Sequence, residues 1–273
     1  MSDERYEELK SIAIEVRKDV VRMIGVARSY GLASALTVTD ILVYLYWEFM
    51  DIASGGIVTR QDRLVLGKGA ATPTLYSCLA RLGFFSRDEL WSFRRLGAML
   101  QGYPDVRTPG VDAPGGIYGG GIGIAAGMAT AMILNDSLAR VFTIVGDGEL
   151  QEGSAWESIA SAAGRKLGNL AMILDVNSNS SACDLSSTAT RLESLGWRVA
   201  HADGHDFGSL ADAFGALDFS HTHPKAVLAK TLTNGGSAFD VEMSEDRAVP
   251  MTNADIDRVL TALESGADGT AGR

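Results

Sequence analysis

Residues 141–148, with the sequence VFTIVGDG, place an apolar, β-branched run directly before a Gly-Asp-Gly turn. Such a run predicts a buried strand that ends at the glycines. The carboxylate of Asp147, the amide oxygen of Asn177 further along the chain and a backbone carbonyl just beyond it are hard oxygen ligands that suit Mg²⁺. The glycines would let the backbone approach a phosphate closely. The stretch therefore predicts a metal site for a diphosphate, with a plain Asp-Gly turn at a strand end as the alternative.

The composition is that of a globular protein that can form one large or two small domains. The chain has 273 residues, 46% of them hydrophobic and 21% charged, and a net charge of −10. No apolar run approaches the roughly 18 residues of a membrane span, and the start MSDERYEELK lacks the apolar core of a secretory signal. We therefore expect a cytoplasmic protein with neither a membrane nor nucleic acid as partner. The two cysteines, Cys78 and Cys183, lie far apart and predict free thiols.

Helical and strand patterns alternate along the chain. Helices are predicted over 4–28, 39–49, from Pro73, from a capping box at Ser86, and over 122–134, 152–167, 207–217 and 253–263. Strands are predicted over 64–66, 140–145, 170–174, 197–200 and 226–229. This alternation predicts an α/β fold with a parallel sheet covered by helices on both faces. We expect one domain over 1–240 and an extension over 241–273 with a short helix and a disordered end.

A second glycine-rich stretch, residues 114–123 with the sequence PGGIYGGGIG, leads into the small-residue helix predicted over 122–134. Unpaired N–H groups and the positive end of the helix dipole would make this loop a suitable seat for an anion. Tight packing of a second helix is the alternative, because glycine serves both purposes. A dinucleotide-type loop is disfavoured, since no strand of adequate length directly precedes the glycines.

At these residues the chain resembles the transketolase family. Its thiamine diphosphate motif is similar to GDGELQEGSAWE at 146–157, KLGNL at 166–170 and DVN at 175–177. Further similar motifs follow the family's order: TPGVD at 108–112, DGHD at 203–206 and AKT at 229–231. The resemblance covers nearly the whole chain and implies the diphosphate-binding domain of transketolase over 1–240. The length resembles the N-terminal subunit of split transketolases, whose pyrimidine-binding half is a separate polypeptide.

The resemblance implies thiamine diphosphate as the cofactor, held through Mg²⁺ or Ca²⁺. The metal would be bound by the side chains of Asp147 and Asn177 and by the main chain of Asn179. The residues expected to contact the cofactor are Gly116, Ile117, Tyr118, Gly146, Asp147, Gly148, Glu149 and Asn177.

Two further residues are expected to take part in catalysis. Glu152 resembles the acidic residue that links the two active sites across the family's dimer, with a solvated residue in the first turn of a helix as the alternative. Tyr103 would face the substrate. The turn that contains His205 is expected to be structural, because polar turn residues commonly bond their own backbone. His201, His221 and His223 are expected at the surface.

Several motifs depart from the family pattern at positions that face the substrate. Where transketolases that act on sugar phosphates carry Ser-Gly-His-Pro, Lys-Gly-His-Ala and Gly-His-Pro, this chain has SYGL at 29–32, KGAA at 68–71 and GYP at 102–104. The Gly-Gln-Gly of the cofactor loop is GGG at 119–121. Losing imidazoles removes hydrogen-bond partners and proton shuttles that a polyhydroxylated sugar would need. We therefore expect a substrate other than an ordinary pentose phosphate pathway sugar.

These features predict one subunit of a two-component thiamine diphosphate-dependent transferase. It would move a two-carbon ketol or acetyl unit from a small 2-oxo donor to an aldehyde or ketone acceptor, for example in specialised biosynthesis. Its partner would be a C-terminal, transketolase-like subunit in an α2β2 heterotetramer, so the chain alone should be inactive. Two alternatives remain: the α subunit of a 2-oxo acid dehydrogenase, and a non-catalytic transketolase homologue.

Overall fold

A parallel β-sheet forms the centre of the molecule. The computed structural model describes residues 1–52, 61–177, 184–220, 222–232 and 251–264. Within these ranges the strands are β1 (Arg63–Leu66), β2 (Val141–Gly146), β3 (Leu170–Val176), β4 (Arg198–Asp203) and β5 (Lys225–Lys230). They lie in the order β1-β2-β3-β5-β4, and every neighbouring pair is parallel. The predicted parallel α/β fold is confirmed.

Helices cover both faces of this sheet. They are α1 (Asp3–Ala27), α2 (Leu32–Thr37), α3 (Thr39–Tyr44), α4 (Thr72–Arg81), α5 (Gly121–Leu134), α6 (Gly153–Gly164), α7 (Leu185–Ser194), α8 (Phe207–Gly215) and α9 (Asn253–Glu264). Alternate side chains of β2 enter two separate cores: Phe142 and Ile144 pack with α1, α3 and α8, whereas Val141 and Val145 pack with α5, α6 and α7. Strands buried on both faces explain the unbroken apolar runs in the sequence.

Two local predictions need correction, and helices α2 and α7 were not predicted. The helix predicted from Ser86 is a short 3₁₀ segment, Arg87–Ser92, in which the Ser86 hydroxyl accepts from the amide of Asp88. The single helix predicted over 39–49 is α3 followed by a π-helical turn, Leu45–Phe49. Helix α7 was not predicted, because its sequence LSSTATRLES is mostly polar; an Asp184 side chain caps its first turn.

Judged by length and composition alone, the segment Leu32–Phe49 could cross a membrane. In the fold, 78% of that segment is buried. It comprises α2, α3 and the π-helical turn, whose side chains Leu36, Ile41 and Leu45 belong to the core beneath α1. The segment therefore has the burial expected of a core element of the domain.

The C-terminal helix α9 packs on α1. Val259 is fully buried there, and the Ile256 side chain fills the space beside Gly25. The predicted boundary at residue 240 and the predicted disordered end fall outside the described residues, as does Cys183. Cys78 is a buried free thiol, as expected.

Helix α5 approaches the sheet closely because a glycine at its start, Gly121, meets a glycine that follows β1, Gly67. A Cβ atom on Gly121, at the start of α5, would lie 2.5 Å from the Cα of Gly67, which follows β1. On the same helix, a Cβ on Gly127 would meet nothing within 4 Å. The close approach brings the glycine-rich loop to the edge of the sheet where the strands end.

We predict opposite effects for alanine at these two helix positions. Gly121→Ala should lower the free energy of unfolding by about 1–3 kcal/mol, because backbone atoms cannot give way as side chains do. Gly127→Ala should raise it by up to about 1 kcal/mol, because alanine favours the helix and finds open space. Urea unfolding of both variants measures the difference, and equal stabilities would contradict the close approach.

Candidate functional site

The carboxyl ends of β2 and β3 bring Asp147 and Asn177 to one edge of the sheet. Gly146 pairs with Asp175 in the register of the two strands, Asp147 opens a 3₁₀ turn directly after β2, and Asn177 directly follows β3. Asp147 is 8% exposed, and its Oδ1 accepts a hydrogen bond from the Gly148 amide at 2.8 Å. The two predicted metal ligands therefore leave adjacent strands on the same side.

Asp175 is the centre of a buried polar cluster beneath these two residues. Its Oδ2 accepts from Lys68 Nζ at 2.5 Å, from Thr37 Oγ1 at 2.7 Å and from Asn177 Nδ2 at 3.3 Å. The Thr231 hydroxyl donates to the other carboxylate oxygen. Burial alone would raise the pKa of Asp175, but the charge and hydrogen bond of Lys68 hold it below the usual range. The cluster ties the ends of β1, β3 and β5 together.

This cluster also orients the amide of Asn177. Because the amide nitrogen donates to Asp175, the amide oxygen lies on the opposite side of the group. Partners behind a ligand commonly fix its orientation in metal sites. Asp175 and Lys68 were not among the site residues predicted from the sequence. The available signal for Asp175 was a carboxylate in the otherwise apolar strand β3.

Glu149 joins the glycine-rich loop to the end of β2. Its Oε1 accepts the Gly146 amide at 2.9 Å and its Oε2 accepts the Gly119 amide at 3.0 Å. The residue is 2% exposed, and burial raises the pKa of its carboxyl while the two N–H donors offset part of the rise. The geometry assigns Glu149 the task of holding two backbone segments together.

We predict that Glu149→Gln loosens this connection. A glutamine offers one acceptor oxygen, so its NH₂ group must face one of the two backbone N–H donors. The loss should cost about 1–3 kcal/mol of stability and speed hydrogen exchange at Gly119 and Gly146. Glu152→Gln is the matched control, because Glu152 is exposed and the same change should alter stability by less than about 0.5 kcal/mol. Equal effects of both substitutions would contradict the role of Glu149.

The glycine-rich loop lies over the Gly-Asp-Gly turn. A Cβ on Gly148 would lie 2.3 Å from the Tyr118 hydroxyl oxygen, so the phenol reaches the backbone of the turn. Gly116 has φ 93°, a conformation that favours glycine. Ile117 and Tyr118 are mostly exposed. The structure thus brings the predicted contact residues of the two glycine-rich stretches to one place.

Glu152 lies beside this loop and is exposed. Glu152 occupies the N-cap position of α6, and a Cβ added to Gly119 would lie 2.6 Å from the Cβ of Glu152. Its predicted link to a second active site stays a prediction.

Tyr103 lies between two glycines at the mouth of the site. Its ring occupies the space beside Gly69 and Gly116, where added Cβ atoms would lie 2.7 and 2.8 Å from ring carbons. Tyr103 is 52% exposed, and Ala70 is also exposed. Two of the segments that depart from the family pattern therefore meet at the glycine-rich loop.

Arg94 connects the third departing segment, residues 29–32, to the same region, and it was not among the site residues predicted from the sequence. Its Nη1 donates to the Ser29 hydroxyl, its Cζ lies 5.2 Å from the ring centre of Tyr30, and its Nε would be 2.9 Å from a Cβ on Gly102. The signal in the sequence that could have identified Arg94 was its position shortly before the altered motif at 102–104.

His205 has a structural arrangement, as expected. Its Nε2 accepts the Leu232 amide at 2.9 Å, so Nδ1 carries the proton that it donates to Asp40 Oδ2 at 2.8 Å. His201 and His223 are exposed, and His221 lies outside the described residues. The ring holds the chain beyond β5 against α3.

The donor chemistry at the strand edge fits a hard divalent cation. Asp147 offers a carboxylate and Asn177 an oriented amide, whereas the described residues contain no group of three or more His, Cys, Asp or Glu suited to a metal. A cation here would therefore need further oxygens from phosphate or water. Asn179, the third predicted ligand, lies outside the described residues.

The fold and the site define a parallel α/β protein whose glycine-rich loop and Asp-Asn edge meet at the carboxyl ends of the strands. The sequence profile described as "Transketolase, thiamine diphosphate binding domain" matches residues 10–268. The chain belongs to the transketolase family and comprises this domain.

Known relatives support the same assignment. Human transketolase is 32% identical over 274 residues, which cover 96% of this chain and 44% of the human protein. The 6-deoxy-6-sulfo-D-fructose transketolase subunit SqwG of Clostridium sp. (strain MSTE9) is 32% identical over 248 residues, covering 88% of this chain and 90% of that subunit. The transketolase structure from Campylobacter jejuni superposes with a TM-score of 0.83 at 26% identity, over 96% of this chain and 43% of that one. The chain thus spans less than half the length of the human protein.

Proposed function

We propose that this chain is the diphosphate-binding subunit of a two-component, transketolase-like transferase. It moves a two-carbon ketol or acetyl unit from a 2-oxo donor to an aldehyde or ketone acceptor. The observation that carries the proposal is the meeting of Asp147, Asn177 and the glycine-rich loop at one edge of the sheet. Membership of the transketolase family favours this activity over that of a 2-oxo acid dehydrogenase subunit.

The chain's own residues would bind and orient the cofactor. Asp147, Asn177 and the main chain of Asn179 would hold Mg²⁺ or Ca²⁺ against the diphosphate, and Gly148 would lie against the phosphates. When bound, thiamine diphosphate supplies a carbanion and an electron sink for breaking and forming carbon–carbon bonds. Glu149 would keep the loop and the Gly-Asp-Gly turn in register around it.

We further propose a substrate that is less hydroxylated than the ordinary pentose phosphates. The exposed Ala70 and Tyr103 replace groups that could donate, accept and shuttle protons, so several sugar hydroxyls would stay unpaired. SqwG supports substrate variety in the family, because its name specifies a sulfonated deoxysugar.

A C-terminal, transketolase-like subunit would complete the site in an α2β2 assembly. The match over 90% of SqwG, itself called a subunit, supports a two-chain arrangement. Exposed apolar residues at the end of α5 and just beyond it, Ile133, Leu134 and Leu138, offer a surface for packing. The open space beside Gly127 would let another helix approach the middle of α5.

Reconstitution tests the proposed function. This chain and a C-terminal-type subunit are assayed separately and together with thiamine diphosphate and Mg²⁺, using pyruvate or hydroxypyruvate as donor and a panel of aldehydes as acceptors. We expect carbon–carbon bond formation with the two chains together and none with this chain alone. Turnover by this chain alone would contradict the two-component proposal. Rapid turnover of xylulose 5-phosphate with ribose 5-phosphate would contradict the substrate proposal.

A further inference from the structure

Arg94 lies between two of the segments that depart from the family pattern, residues 29–32 and residues 102–104. It contacts Ser29 and Tyr30 on one side and Gly102 on the other, next to Tyr103. The Tyr103 ring in turn contacts Gly116 of the glycine-rich loop. A chain of contacts through Gly102 and Tyr103 therefore joins the Arg94 guanidinium to the glycine-rich loop.

Arg94 differs from other partly buried arginines in its lack of a carboxylate partner among the described residues. Arg17, Arg63, Arg81 and Arg140 each pair with an aspartate at 2.5–2.7 Å. Across the described residues, Arg94 has no carboxylate within 4.0 Å, although the chain carries a net charge of −10. A partly desolvated cation without an anionic partner is suited to an anionic ligand.

The guanidinium is also held in place before any ligand binds. The Arg94 backbone has φ 60°, a left-handed conformation that is uncommon for residues other than glycine, and its amide donates to Leu100 O at 2.9 Å. The rings of Phe93 and Tyr30 lie 5.3 and 5.2 Å from Cζ, close enough for cation–π contacts. A fixed fork of donors loses little entropy on binding a carboxylate.

Two exposed tyrosine rings lie near Arg94. Tyr30 is 65% exposed and Tyr103 is 52% exposed. Rings of this kind stack against planar ligands, whereas they offer few partners to a chain of sugar hydroxyls. An aromatic ring with an anionic substituent would use both the rings and the guanidinium.

We propose that Arg94, Tyr30 and Tyr103 form an acceptor subsite for an aromatic aldehyde that carries a carboxylate. Arg94 binds the carboxylate, and the two phenol rings contact the faces of the aldehyde's ring. The subsite rests on the proposed function, because it supplies the acceptor for the same two-carbon transfer.

The test compares 3-formylbenzoate with benzaldehyde as acceptors for the reconstituted two-chain complex. We expect KM to be about tenfold or more lower for 3-formylbenzoate, the ratio that one charge-assisted hydrogen bond supplies. Arg94→Gln should remove this difference by raising KM for 3-formylbenzoate alone, and Arg94→Lys should restore part of it. Arg95→Gln is the matched control, since it removes the same charge from an exposed neighbouring residue and should leave both KM values unchanged.

A donor-free measurement separates this inference from the proposed function. Saturation-transfer NMR of 3-formylbenzoate with the complex should show binding that Arg94→Gln and Tyr30→Leu both weaken and that added salt reduces. Transfer to both aldehydes with equal KM values would overturn the subsite and leave the proposed function intact. Absence of transfer to any acceptor would contradict the proposed function, and the NMR titration would then decide the subsite separately.

Discussion

Asp147→Ala is expected to abolish cofactor binding and activity in the two-chain complex while leaving the fold intact. The change removes the only carboxylate of the proposed metal site. The amide oxygen of Asn177 and the main chain of Asn179 are then too few ligands, and carry no charge, to hold a divalent cation against a diphosphate. The Asp147 side chain lies at the end of β2, outside both apolar cores, so little packing is lost. We expect cofactor affinity to fall by at least about a hundredfold, given the typical cost of losing a charged ligand.

Calorimetry with thiamine diphosphate and Mg²⁺ measures this loss, and urea unfolding without cofactor checks the fold. Glu157→Ala is the matched control, because it removes an exposed carboxylate from the nearby helix α6. Unchanged cofactor affinity in Asp147→Ala would contradict the metal site. Loss of affinity together with a large loss of apo stability would instead indicate a structural role for the carboxylate.

The second large effect is expected from Lys68→Met, which should lower the free energy of unfolding by about 3–5 kcal/mol. The substitution leaves the fully buried carboxylate of Asp175 without its cation, although the Thr37 and Thr231 hydroxyls still donate to it. The long apolar stem of methionine keeps most of the packing. The loss is therefore mainly electrostatic.

The pH dependence of this loss gives an independent check. In the wild-type chain the lowered pKa of Asp175 contributes stability above pH ~4, and that contribution is lost as the pH falls through the folded-state value. Without Lys68, burial raises the pKa of the carboxyl, so the deficit of the variant should shrink as the pH falls. The double variant Lys68→Met with Asp175→Asn should recover much of the stability at pH 7. A deficit independent of pH would contradict the ion pair as its cause.

The apolar strands and the Gly-Asp-Gly turn could be predicted from the sequence because their signals are local. The run at 141–145 is buried on both faces and is continuously hydrophobic, so the observed strand Val141–Gly146 differs from the predicted 140–145 by one residue at each end. In contrast, α7 owes its position to packing of a few side chains such as Leu192 against the sheet. Its polar sequence carries a weak helical signal, and tertiary contacts decide the outcome.

The parts of the site that escaped the sequence analysis depend on long-range contacts. Lys68 and Thr231 approach Asp175 from different strand ends, and no spacing in the chain indicates that they meet. Arg94 likewise lies far along the chain from Ser29, with which it forms a hydrogen bond. Residue chemistry suggested the candidates Asp147 and Asn177, whereas the groups that position them follow only from the strand order.

The proposed cofactor edge and the proposed acceptor subsite are drawn from separate stretches of the chain. Residues 146–149 and 175–177 leave the central strands, whereas Tyr30, Arg94 and Tyr103 lie in connections on the N-terminal side of α5. During evolution, substitutions in the second group can change which acceptor is used without disturbing the strand ends. The architecture thus allows one inherited cofactor chemistry to be redirected to new substrates by a few replacements in loops.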